Sequence, residues 1–289
     1  GHPFPDWVFP DFPMGFKNRS LVSLESLLVF VFFFVGLISD HFFSTFQRPV
    51  LQQRLQLSNG TSVVLVELLL DDPYVPGDQQ IFPVSLLMLL CIGMPVGVML
   101  VITCLCPRDG EPASFVRGLL MAMACMFFTV NLTKNYVGYW RPYFYHMCGW
   151  DGKECTNTND EARRSFPSGH SSTSFCAMLF TSLFLLGKVA GLRPKPMIPL
   201  PLGHLDLTNL LLLLALVPTC LAFWVAASRV RENDHHPADV VAGAMIGSAW
   251  AALWYARYFT PLWDSDPDCS EPMQPESSDV LMTEDPARP

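Results

Sequence analysis

Charge is scarce in this sequence, at 15% of 289 residues, and nowhere do lysines and arginines interleave with aromatic residues to form a basic strip. The first shortage argues against a domain solvated by water, and the second argues against nucleic acid as a partner. No Cys-x-x-Cys pair is present, so a zinc or iron–sulfur module has no obvious ligands. No internal repeat stands out either. What fills the chain instead is apolar: 51% of the residues are hydrophobic, in several runs that approach or exceed the ~18 residues a helix needs to cross the hydrocarbon layer. The net charge of -8 is concentrated in residues 260–289, where Asp and Glu alternate with Pro and Ser; that segment reads as a disordered, solvated tail.

Six apolar spans emerge, at about 21 to 39, 82 to 106, 115 to 137, 170 to 187, 207 to 227 and 239 to 259. The fold expected from them is all-α, a six-helix transmembrane bundle over residues 21–259 between an N-terminal segment (1–20) and the acidic tail. Pro95 and Pro218 fall inside the second and fifth spans, where membrane helices tolerate proline, so kinks are expected there. Six crossings place both termini and the even connections on one side and the odd connections on the other. Asn59-Gly60-Thr61, a glycosylation sequon in the first connection, agrees with an odd side that is lumenal or extracellular and with cytosolic termini. Of nine cysteines, Cys91, Cys104, Cys125, Cys176 and Cys220 lie in apolar segments and read as small buried hydrophobes. Cys148 and Cys155 share one short polar loop of the third connection and are candidates for a disulfide in an oxidising compartment.

Ionisable residues at the ends of apolar spans are costly and need a reason. Here they fall in three clusters, all on the odd side. Lys134 and Arg141-Pro142 stand seven residues apart at the end of the third span, a spacing of two helical turns that would put two cations on one face. Arg164-Ser-Phe-Pro167-Ser168-Gly169-His170 ends a loop at the start of the fourth span, where unpaired backbone N–H groups suit an anion. Ser168 and Gly169 could present donors to oxyanions, and His170 could supply a proton. Ser228-Arg229-Val-Arg-Glu-Asn-Asp-His235-His236-Pro-Ala-Asp239 joins the last two spans, and four residues separate His235 from Asp239. A carboxylate in that register holds one imidazole nitrogen and leaves the other basic, while His236 is expected to be out of phase with it. Read singly, each cluster also suits an ordinary role: snorkelling cations, a capped helix start, surface histidines.

Together the three clusters resemble the type 2 phosphatidic acid phosphatase superfamily, whose pattern is Lys, six residues, Arg-Pro; Pro-Ser-Gly-His; and Ser-Arg, five residues, His, three residues, Asp. Every position matches, and over roughly residues 20 to 260 the sequence most looks like the eukaryotic lipid phosphate phosphatases, including the diacylglycerol diphosphate phosphatase branch. The resemblance implies that Lys134, Arg141 and Arg229 bind phosphate with Ser168 and Gly169. It implies that His235 is the nucleophile, that Asp239 orients it, and that His170 protonates the leaving oxygen. It implies no metal and no cofactor, and membrane lipid phosphates in a bilayer as substrates. Alternatives within the class are a prenyl diphosphate phosphatase or a lipid phosphotransferase; outside it, an anion-binding transporter. The tail stretch Asp264-Ser-Asp266-Pro-Asp268-Cys269 has neither the Thr nor the strand–helix context of a magnesium-dependent phosphatase, and lacks the Gly of a calcium loop.

Overall fold

A computed structural model describes residues 19–42, 44–49, 53–56, 62–65, 70–106, 110–151, 154–157, 159–192, 197–200 and 203–259. Asn59 and the acidic tail lie outside them. Long helices follow the apolar runs: α1 (Arg19–Phe42), the pair α2 (Val84–Met88) and α3 (Met94–Leu105), α4 (Glu111–Val137), α6 (Gly169–Ala190), α7 (Thr208–Arg231) and α8 (Pro237–Tyr258). A short helix, α5 (Phe144–Cys148), and a 3₁₀ turn at Asp160–Arg163 lie in the connection between α4 and α6.

The bundle is helical as expected, but the connections are not wholly irregular. Two antiparallel hairpins, β1 (Gln53–Gln56) with β2 (Ser62–Leu65) and β3 (Met197–Leu200) with β4 (Gly203–Asp206), lie in the connections and leave the bundle itself all-α. Segments such as Ser62-Val-Val-Leu65 carry the β-branched residues that favour an extended pair, yet are too short to stand out from the loops around them. Among the described residues, four segments are long and apolar enough to cross a membrane: Val84–Leu105, Glu111–Val137, Gly169–Ala190 and Thr208–Arg231. Among the described residues α1 carries a shorter apolar stretch, Ser26–Gly36, and α8 is diluted by Gly, Ser, Trp and Tyr. Leu213, Phe223 and Trp224 on α7 and Leu89 and Leu100 on the Val84–Leu105 segment are largely exposed, the outer surface of a bundle that sits in a bilayer.

The two prolines behave differently. Pro95 has no N–H to offer the carbonyl of Cys91, and the turn before it, Leu89–Gly93, widens into π-helix between α2 and α3. Helix α7 runs on through Pro218 to Arg231, and the neighbouring Thr219 N–H donates to Ser182 Oγ of α6 at 3.2 Å.

Helix α6 forms the centre, packed between α7 and α8, with α4 against α8 and α1 against α4. The α6–α8 contact is backbone to backbone. A Cβ on Gly243 would stand 2.5 Å from Ser168 O, and one on Gly247 would stand 2.2 Å from Ser172 O, so only glycine fits either place. Ser171 Oγ completes the seam by donating to Val240 O at 2.7 Å. Toward the other end, Phe115, Phe180, Phe184, Tyr255 and Phe259 interlock in edge-to-face contacts, and Lys188 pairs with buried Glu111 to tie the end of α6 to the start of α4. The seam thus sets the first turns of α6 and α8 side by side, and both begin in charged loops.

Candidate functional site

Four helix ends meet at that place: the last turns of α4 and α7 and the first turns of α6 and α8. Lys134 lies in the last turn of α4, buried, with its ammonium facing α6; a Cβ on Gly169 would be 3.7 Å from Nζ. Helix α4 ends three residues later because Gly138 takes a left-handed conformation (φ +57°), where a side chain would also run into the carbonyl of Phe46. Arg141 is therefore not a helical neighbour of Lys134 two turns on, as its spacing suggested. It arrives from the loop beyond the cap, held by its own N–H to Ala162 O at 2.9 Å.

Ser168 caps α6, its Oγ accepting from Ser171 N, and its own N–H donates to Asp239 O at 3.0 Å, so the starts of α6 and α8 are joined through the backbone. His170 follows in the first turn, and its Nε2 is buried with no hydrogen-bond partner among the described residues.

The α7–α8 connection explains the rest. Asn233 is left-handed (φ +57°), and the N–H groups of Asn233 and Asp234 bond back to Val230 O at 3.2 Å and Arg229 O at 2.9 Å, the Schellman pattern that ends a helix. His235 N also reaches Arg229 O at 3.2 Å, so Arg229, Asp234 and His235 are folded over one another. Helix α8 then starts at Pro237 with His236 as its N-cap.

That start corrects one expectation. His236 is not out of phase with Asp239: its backbone N–H and its Nδ1 approach Asp239 Oδ2 at 3.1 and 3.2 Å in a capping box. His235 lies before the cap in non-helical chain, and its Nδ1 is 3.7 Å from the same oxygen. Ser165 stands beside the pair, with its Oγ donating to Asp239 Oδ2 at 2.5 Å while lying 3.5 Å from His235 Nδ1. The other ring nitrogen, Nε2, faces Asp234 Oδ2 at 3.8 Å. Burial pushes the imidazole down to about 4, Asp239 pulls against that, and Arg141 adds to it, so the ring is neutral over the ordinary pH range.

Asp234 binds the arginines together. Arg141 Nη1 donates to its Oδ1 at 2.8 Å and its carbonyl at 3.1 Å, Tyr143 OH donates to Oδ1 at 3.0 Å, and Arg229 Nη1 lies 3.5 Å from Oδ2. Burial alone would raise the Asp234 carboxyl, but Arg141, His235 and Arg229 outweigh it and hold it well below the usual carboxylate range. Arg229, fully buried, also donates to Gln80 Oε1 at 2.9 Å, Ser228 Oγ at 3.0 Å and Glu232 Oε2 at 2.5 Å. Arg141 reaches Glu161 through its carbonyl at 3.0 Å and its carboxylate at 3.2 Å.

All eight catalytic and phosphate-binding candidates read from sequence lie at this end of the bundle. Ser165, Tyr143, Asp234, Glu161, Glu232 and Gln80 were not singled out. Asp234 and Ser165 sit inside the motif stretches, beside His235 and Arg164, which was the available signal; Gln80 is remote in sequence and gave none. Cys148 and Cys155 are disulfide-bonded, Cα to Cα 5.1 Å, in the loop that carries α5.

Apolar helices whose ends gather a histidine–carboxylate pair and buried cations define a membrane-embedded bundle with a charged centre at one end. Residues 115–263 match the family described as the PAP2 superfamily, and the chain belongs to that superfamily. Among its relatives, "Lipid phosphate phosphatase 2" of Arabidopsis thaliana is 33% identical over 164 residues, 52% of this chain and 53% of that protein. "Diacylglycerol pyrophosphate phosphatase 1" of Saccharomyces cerevisiae is 31% identical over 182 residues, 58% of each chain. "Phospholipid phosphatase 1" of Mus musculus is 29% identical over 147 residues, 45% of this chain and 47% of that one. The chain thus spans about half the length of the curated relatives it matches. No solved structure matches it.

Proposed function

We propose that the chain is a metal-independent lipid phosphate phosphatase, acting on phosphatidate and related lipid phosphates through a phosphohistidine on His235. The observation that carries this reading is the two-sided setting of His235, with Nδ1 toward Ser165 and Asp239 and Nε2 toward the group held by Arg141 and Arg229. A neutral imidazole with one nitrogen oriented and the other aimed at an arginine-lined position is what nucleophilic attack on phosphorus requires.

In this scheme Lys134, Arg141 and Arg229 take the phosphate oxygens, aided by Ser168 and Gly169 at the N-terminus of α6. His235 Nε2 attacks phosphorus, the bond to the lipid oxygen breaks, and His170 gives that oxygen its proton. Asp239, through Ser165 and the ring, stabilises the positive charge left on the imidazole. Water then attacks the phosphohistidine, His170 takes its proton, and inorganic phosphate leaves with Nε2 restored. The names of the relatives support lipid phosphates, with diacylglycerol diphosphate a second candidate.

Six crossings over residues 21–259, cytosolic termini and a site on the lumenal or extracellular face complete the reading, supported by the disulfide in the same connection as Arg141. The test is phosphate release from phosphatidate in detergent micelles by the purified chain, with EDTA and without magnesium. Release that persists in EDTA and is abolished by His235→Ala supports the proposal; release dependent on added magnesium, or intact in His235→Ala, overturns it.

A further inference from the structure

The two arginines assigned to phosphate are already committed to acceptors within the protein. Arg141 spends Nη1 on the carboxylate and carbonyl of Asp234 and its other nitrogens on Glu161. Arg229 spends Nη1 on Gln80 with Asp234 at 3.5 Å, and Nη2 on Glu232 and Ser228. The acceptor common to both is Asp234, and its Oδ2 is also the oxygen that faces His235 Nε2 at 3.8 Å. A carboxylate there stands where a phosphate oxygen would stand in the proposed reaction.

We propose that Asp234 is an internal competitor for the phosphate group: its carboxylate bridges Arg141 and Arg229 in place of a phosphoryl oxygen, and substrate binds by turning it out. Two anions cannot share these donors. The Coulomb repulsion between a carboxylate and a phosphate about 4 Å apart is large in a buried setting, and the guanidinium hydrogens that serve one are withdrawn from the other. Movement of the side chain suffices, because the backbone of Asp234 is fixed by its bond to Arg229 O and need not shift. Buried arginines are thereby paired at every stage, and affinity for phosphate, including product phosphate, is held down by the same device.

The inference rests on the phosphatase reading for the identity of the anion, and a direct rival is that Asp234 only positions the arginines. The two differ in sign. Asp234→Asn keeps the shape of the side chain and removes its charge. A competitor predicts that orthovanadate inhibits this variant about tenfold more strongly than wild type, that KM for phosphatidate falls, and that inorganic phosphate raises the thermal midpoint more than in wild type. A positioning residue predicts weaker vanadate inhibition and a higher KM, and either of those, or no change, overturns the proposal.

Tyr143→Phe, which removes one hydrogen bond to Asp234 and no charge, supplies a second variant should Asp234→Asn fail to fold. Vanadate inhibition should tighten about two- to threefold, and an unchanged or weaker value counts against competition. The thermal measurement separates this idea from the enzyme reading. Stronger phosphate stabilisation in a protein that releases no phosphate from lipid leaves the competitor standing and sinks the enzyme. Turnover with unchanged anion binding does the reverse.

Discussion

Asp239 and His235 do not touch as a simple hydrogen-bonded pair: Oδ2 and Nδ1 are 3.7 Å apart, and Ser165 Oγ lies beside both, 2.5 Å from the first and 3.5 Å from the second. The carboxylate is also shared with the cap of α8, since His236 approaches the same oxygen at 3.2 Å. One buried acid therefore lies against His235, the proposed nucleophile, and fixes the start of the helix that follows it. Asp239→Asn should lower kcat about 10²- to 10⁴-fold, the span of a lost acid–base or orienting group. Ser165→Ala should cost about tenfold, the equivalent of one hydrogen bond to a charged group. Single-turnover kinetics on the two variants checks both, and full activity in Ser165→Ala would show that the serine bridge does nothing.

His235 gives a pH dependence with a definite sign. In the unfolded chain its imidazole titrates near 6.5, and in the fold near about 4, so between those values the unfolded state holds the extra proton. Stability from this residue is complete above pH 6.5 and is lost as the pH falls toward 4, by on the order of 3 kcal/mol. His235→Gln should flatten the fall of the thermal midpoint across that window relative to wild type. Parallel curves for the two proteins would mean that the ring is not held neutral.

Much of the site was legible because its motifs are local. Lys134, Arg141, Ser168, Gly169, His170, Arg229, His235 and Asp239 stand at fixed spacings, and the apolar runs between them were long enough to force the ends together. The errors came from assuming that helical periodicity continues across helix ends. Gly138 breaks α4 before Arg141, and His236 takes the extended cap conformation (φ -72°, ψ 154°), which brings it to Asp239 and leaves His235 in the turn. Ser165 and Gln80 were invisible for another reason: each matters only through what a distant segment places beside it, Asp239 in one case and Arg229 in the other.

The α6–α8 seam ties stability to the site. Gly247→Ala would place a methyl 2.2 Å from Ser172 O and 3.0 Å from Cys176 N, backbone atoms of a helix that cannot yield without moving. The helices must part, at a cost of about 1–3 kcal/mol typical of overpacking. Because His170 and Asp239 ride on those helices, the same change should lower kcat as well as the thermal midpoint. An Ala variant with wild-type midpoint would show that the helices are not packed this closely.

The Cys148–Cys155 bridge closes a short loop beside the segment that delivers Arg141 and Tyr143, and Cys148 is buried with Phe144, Tyr145 and Trp140. With a sequence separation of 7, the chain-entropy argument gives about 2–3 kcal/mol of stabilisation, by restricting the unfolded chain. Cys148→Ser with Cys155→Ser should lower the thermal midpoint, and dithiothreitol should bring wild type toward the double variant without affecting the variant itself. Activity should fall less than stability, because Arg141 keeps its bonds to Glu161, Ala162 and Asp234 when the bridge is gone. Loss of turnover at a temperature where the double variant is still folded would mean instead that the bridge holds Arg141 in its working position.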